Sequence, residues 1–123
     1  MNKEVRSHKD LVVWQKSIVL VVEIYCFTEK FPREEMFSLV SQMRRAAVSI
    51  PSNIAEGRSR GTRKDFTHFL RVGLGSVAEL ETQLFICQKL HFGDPKQSQG
   101  IESELSEVGR MLHAMIKKLE AKS

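Results

Sequence analysis

The chain is predicted to be all-α: an antiparallel up-down-up-down four-helix bundle with a kinked second helix. Three observations predict this. Apolar residues recur every three or four positions through most of the 123 residues. The strand-like alternation of β-branched and polar residues is nearly absent. Only three prolines and seven glycines punctuate the chain, so few breaks interrupt the helical pattern. At 123 residues, with 41% apolar and 28% charged residues, the chain suits one core and one domain, residues 1–123.

The first helix is expected from about Lys9 to Thr28. It ends before "EKFPREE", where Pro32 stops continuation and Glu34 and Glu35 suit the first turn of the next helix. The second covers about Arg33 to Glu56, and its stripe Met36, Val40, Met43, Ala47, Ile50 and Ile54 runs straight through Pro51. The third opens at "TRKD", with Thr62 as cap, and continues through Phe66, Leu70, Val77, Leu80, Leu84 and Cys87 until Gly93 and Pro95 stop it. The fourth carries Ile101, Leu105, Val108, Leu112, Met115 and Leu119, with glutamates early and Lys117, Lys118 and Lys122 late. That order complements the helix dipole. Short connections favour antiparallel neighbours.

Helix one carries two apolar sets: Trp14, Ile18, Val21 and Tyr25 on one side, and Leu11, Leu20, Ile24 and Phe27 on the other. A bundle helix facing water needs only one, so the second is expected to mediate self-association, with Leu11, Leu20 and Ile24 as the interface.

Chemistry specific to this chain is expected in "RRAAVSIPSNIAEGRSRGTRKDF", Arg44 to Phe66. Proline inside a helix removes one N–H and clashes with the carbonyl four residues earlier, at about 3 kcal/mol. Ser49, Ser52 and Asn53 are placed to bond the freed groups, and the unbroken stripe predicts a kink at Pro51 rather than an end. Asn53 also lies on a polar line with Arg45, Ser49 and Glu56. Gly57 and Gly61 are expected to supply unusual backbone angles in the turn that follows.

Net charge is +4, and its distribution is uneven. Residues 1–64 hold 12 Lys or Arg against 7 acids, and residues 65–123 hold 7 against 8. Arg44, Arg45, Arg58, Arg60, Arg63 and Lys64 therefore form a candidate phosphate-binding patch beside the N-terminus of the third helix. Charge alone is equally compatible with a solvated turn, and Arg45 is as well placed for an ion pair with Glu56.

"DLVVWQKS", "TEKFPREE", "SQMRRAAVSIPSNIAEGRSR" and "DFTHFLRVGLGSVAELETQL" together resemble the successive motifs of the four-helix family named for 23S rRNA intervening sequences. The resemblance covers roughly residues 10–90, and its core is Ile50 to Gly57. It implies a subunit that assembles as a homopentamer, and a relation to the basic accessory protein of diversity-generating retroelements, which binds nucleic acid and reverse transcriptase. Gly73 departs from the family pattern, which usually has alanine there.

Other chemistries find little support. "GRSRG" matches a hydrolase nucleophile elbow by letter, but no strand precedes the serine. There is no Glu-x-x-His pair for a di-iron site, and the four histidines are scattered. No P-loop or dinucleotide fingerprint occurs, and Glu79 and Glu81 point to different faces. No catalytic residue, metal site or cofactor is expected. Cys26 and Cys87 read as buried reduced thiols of a cytoplasmic protein, and "SIVLVVEIYCF" is too short to span a bilayer. The expected partners are a second copy of the chain and structured RNA or another nucleic acid. The alternative is a protein-interaction scaffold in which Arg44, Arg45 and Arg58 pair with Glu56, Glu79 or Glu81 between subunits.

Overall fold

The computed structural model describes residues 6–122. Among these every element is helical: α1 (Val12–Thr28), α2 (Ser41–Ser59), α3 (Arg63–Leu90) and α4 (Pro95–Ala121). A 3-10 turn, His8–Asp10, precedes α1. A second, Arg33–Glu35, leads through one wide π turn, Met36–Val40, into α2.

Side-chain caps fix the starts. Ser7 Oγ accepts from the Lys9 N–H at 3.2 Å while Asp10 Oδ2 accepts from the Ser7 N–H at 3.3 Å, a reciprocal pair that sets the first turn. Thr62 Oγ1 accepts from the Asp65 N–H at 3.1 Å, and Asp94 Oδ2 from the Gln97 N–H at 3.1 Å, with Pro95 in the first turn of α4. The sequence pattern places the stop of α3 at Gly93, but the left-handed residue that ends it is His91, with φ 59°. The Phe92 N–H reaches the Cys87 carbonyl at 2.9 Å and the His91 N–H reaches that of Gln88 at 3.3 Å, which satisfies the last turn. Gly93 follows with φ +80°, and a Cβ there would lie 2.4 Å from Phe27 Cε1. That turn is clamped over the Phe27, Phe31 and Phe92 rings, which meet edge-to-face at 5.2 Å and tilted at 5.5 Å between centroids.

α1 packs against α2 and α4, and α3 packs against the same two helices. The core between them includes Leu20, Ile24, Met43, Ile50, Leu80 and Leu112, all fully buried. Contacts between helix ends fix the order. Arg63 at the start of α3 donates to the Lys122 carbonyl beyond α4, and Arg71 pairs with Glu120. At the other end of α3, Gln88 Nε2 donates to Ser98 Oγ at 3.2 Å and to Glu102 Oε2 at 3.0 Å.

Burial corrects two expectations. Leu20 and Ile24, read as an intersubunit surface, are 0% exposed within the subunit, and Leu11 packs against the same core. Leu20 and Ile24 are core residues, and Leu11 is half-buried at the edge of the core. The exposed apolar residues of α1 are Val12, Ile18, Val19, Val22 and Tyr25. Both sets are apolar in sequence, and only the seating of α1 on α2 and α4 tells them apart. Cys26 is exposed rather than buried; Cys87 is buried, and burial pushes its thiol up to about 11.

Candidate nucleic-acid interface

α2 continues through Pro51, which is buried inside it. The small polar residues around the proline join α2 to α3. Asn53 Nδ2 donates to the Ser49 carbonyl at 2.8 Å and to Ser49 Oγ at 2.9 Å, and Ser49 Oγ meets Ser76 Oγ of α3 at 2.7 Å. Ser52 is exposed. Thus Ser49 bridges to α3 while Asn53 supports it from within α2, which is a structural task.

Gly57 does not have the unusual backbone angle expected of it. It is helical and buried, and an added Cβ would lie 2.8 Å from Phe69 Cβ and 3.1 Å from Phe66 Cδ1. Its lack of a side chain lets α2 and α3 approach. Gly61 does have the expected role, with φ +84° and nothing within 4 Å of a Cβ, so it turns the chain between the two helices. At Gly73, a Cβ would make only ordinary contacts, the nearest at 3.8 Å to Leu112 Cδ1, so the alanine of the family pattern would fit.

The six basic residues do not form one patch. At 1.5 Å per residue, α2 carries Arg58 roughly 21 Å from Arg44. Arg44 is engaged at the end of α1: its Nε donates to Thr28 Oγ1 at 3.0 Å, its Nη2 to the Tyr25 carbonyl at 3.4 Å, and its guanidinium lies 4.5 Å from the Tyr25 ring centroid. This is a cation at a helix C-terminus, where the dipole favours it. Arg45 is exposed beside it and meets no carboxylate among the described residues. The expected reach to Glu56 fails, because Glu56 Oε2 accepts from Arg60 Nε at 2.8 Å one turn away.

At the other end of α2, Arg60 also lies 5.1 Å from the Phe69 ring centroid, and Arg63 is held on the Lys122 carbonyl. Arg58 and Lys64 pair with no carboxylate among the described residues. Here the fold adds cations that the sequence reading assigns only to the helix dipole. The end of α4, with Lys118 and Lys122, comes beside Arg63 and Lys64, and the two elements share a groove lined by Arg63, Lys64, Thr67, Leu119 and Glu120. The signal for this is present in sequence: the basic residues in and beyond the last turn of helix four meet the start of helix three if those helices run in opposite directions.

Among the described residues no cluster of three or more potential metal ligands occurs, and no helix is long and apolar enough to cross a membrane. Known proteins resemble the chain in fold and in sequence. A crystal structure of a protein of unknown function from the S23 ribosomal protein family of Bacteroides thetaiotaomicron is 28% identical, with a TM-score of 0.77 over 86% of this chain and 99% of that one. A comparison with curated proteins finds no match. The model of the 23S rRNA-intervening sequence protein family matches residues 9–114, so this chain belongs to that family.

Proposed function

We propose that this chain is a non-enzymatic, self-associating, cytoplasmic subunit that holds the phosphate backbone of structured RNA. The contact surface is the end of the bundle where α2 closes, α3 begins and α4 finishes. The observation that carries the reading is that Arg63 and Lys64 at the start of α3 share a groove with the last turn of α4, which carries Lys118 and ends at Lys122, while Lys64, and Arg58 in the last turn of α2, pair with no carboxylate among the described residues. Arg60 and Arg63 border the same surface. Side chains not committed to internal ion pairs are the ones available to displace counterions. No base-stacking aromatic pair accompanies them, so recognition rests on shape and phosphate spacing.

The contacts between α3 and α4, and those of Lys16 with Glu107 at 2.8 Å, support an antiparallel up-down-up-down bundle. The buried Pro51 within α2 supports a kink. The exposed apolar face of α1 supports assembly, and five subunits is the number the family resemblance implies. A second reading, a scaffold without nucleic acid, draws on a different observation: Arg44, Arg60 and Arg63 are all occupied within the subunit.

Binding of a labelled stem-loop RNA across a salt series separates the two. On the RNA reading, Arg58→Glu with Lys64→Glu lowers affinity and reduces the log-log salt slope by about 2, roughly one per lost phosphate contact. An unchanged affinity and slope favour the scaffold.

A further inference from the structure

Two of the grooves outside the basic end differ in charge. The first lies where α1 ends and α2 begins, lined by Tyr25, Met36, Phe37, Val40, Arg44 and Arg45 among others. Phe37 is 95% exposed, an extreme value for a phenylalanine, because the π turn that leads into α2 aims it outward. The charged walls of this groove are both arginine, and Arg45 has no carboxylate partner among the described residues. The second lies between α3 and α4, lined by Glu81, Leu84, Phe85, Gln88 and Glu102. Phe85 is 59% exposed. Glu102 accepts from Gln88, while Glu81 meets no cation among the described residues.

We propose that these grooves bind each other in trans: Phe37 of one copy enters the α3–α4 groove of a second, and Arg45 pairs with its Glu81. This deepens the self-association in the reading above and rests on it. The occupant is a second copy because one chain carries both halves of a complementary pair. One groove is apolar with a basic wall; the other is apolar with an acidic wall. A two-fold contact of the first groove with itself would set Arg45 against Arg45 and leave the acidic groove empty. The complementary contact is head-to-tail, and the joined pair keeps one free groove of each kind for the next copy, so the assembly grows until the ring closes. Lys89, stacked 5.3 Å from the Phe85 ring centroid, lies about 12 Å along α3 from Glu81 and leaves the Glu81 side of the groove open.

Light scattering on the full chain, with circular dichroism as the folding control, tests this. The wild type is expected at several times 14.1 kDa. Phe37→Asp, Arg45→Glu and Glu81→Arg each reduce it toward the subunit mass with unchanged helicity, since all three positions are exposed. Combining Arg45→Glu and Glu81→Arg in one chain restores association, because the introduced carboxylate then faces the introduced guanidinium across the contact. A monomeric wild type overturns both this pairing and the self-association it rests on. An oligomeric wild type with unaffected single variants, or a double variant that stays dissociated while remaining helical, overturns the pairing alone.

Discussion

The two ends of α2 carry similar sequences and perform different tasks. At one end stand Arg44 and Arg45, and at the other Arg58, Arg60, Arg63 and Lys64. Arg44 is committed to the end of α1, and the surface around it is apolar, with Phe37 projecting. At the far end, Arg58 and Lys64 remain unpaired among the described residues, and the last turn of α4 lies against Arg63 and Lys64. Basic residues close in sequence are thus not equivalent. A helix of this length separates them, and what distinguishes a structural arginine from an available one is the neighbour it meets.

The turn glycines show the same contrast and give the largest expected effect. Gly61 and Gly93 both have positive φ, but Gly61 stands in open space while Gly93 faces Phe27. Gly61→Ala meets only backbone strain, about 1 kcal/mol. Gly93→Ala adds overpacking against the Phe27 and Phe31 rings, for a total of about 3 kcal/mol. Urea denaturation of both variants measures the difference. Equal losses would show that the aromatic clamp yields to the extra methyl group, and the two ends would then be alike in rigidity.

How much of this is legible in the sequence depends on whether a residue's task is local or set by a distant partner. The four helices, the cap at Thr62, the passage of α2 through Pro51 and the positive φ of Gly61 all follow from patterns within a few residues. Sequence alone takes Leu20 and Ile24 for a surface, because Ile18 on the other side of α1 is as apolar, yet both are buried within the subunit. Only packing against α2 and α4 ranks them. Gly57 misleads for the same reason: a glycine after a helical run signals a turn, yet here Phe66 and Phe69 of the next helix require it to be small. The basic end is legible only in part, because Lys118 and Lys122 are remote in sequence from Arg63.

A smaller effect distinguishes the arginines themselves. Arg44→Met removes two hydrogen bonds and a ring contact at the end of α1. The expected loss is about 1 to 2 kcal/mol of stability, with RNA affinity unchanged. Arg58→Met should keep stability within about 0.5 kcal/mol and weaken RNA binding. Thermal melts beside the same binding assay give both quantities. If Arg44→Met weakens binding as much as Arg58→Met while leaving the melt unaltered, the division of α2 into a structural and a binding end is wrong.

The smallest effect lies along the seam between α1 and α4, where two carboxylates are treated in opposite ways. Glu107 meets Lys16 at 2.8 Å, and that partner holds its carboxyl below the usual value. Glu23 is partly desolvated and faces Glu104, whose Oε2 is buried and has no donor. Desolvation first, and then the Glu104 carboxyl, push Glu23 up from 4.5 to about 7. A proton on Glu23 supplies the missing donor to Glu104 Oε2. The sign follows from where that proton is held. Between pH 4.5 and 7 the folded chain keeps it while the unfolded chain releases it, so stability falls as pH rises through this window and levels off above it. Glu107 acts in the other direction and lower down: its contribution is present above its unfolded value and is lost as pH falls through the folded one. Solvent reaches Glu23, which limits the effect to about 1 kcal/mol. Glu23→Gln retains a donor toward Glu104 and removes the titration. Its stability should therefore stay flat from about pH 5 to 8 and exceed that of the wild type above about pH 7. Parallel pH profiles for the two proteins would show that Glu23 does not carry this pH dependence and stays in contact with water.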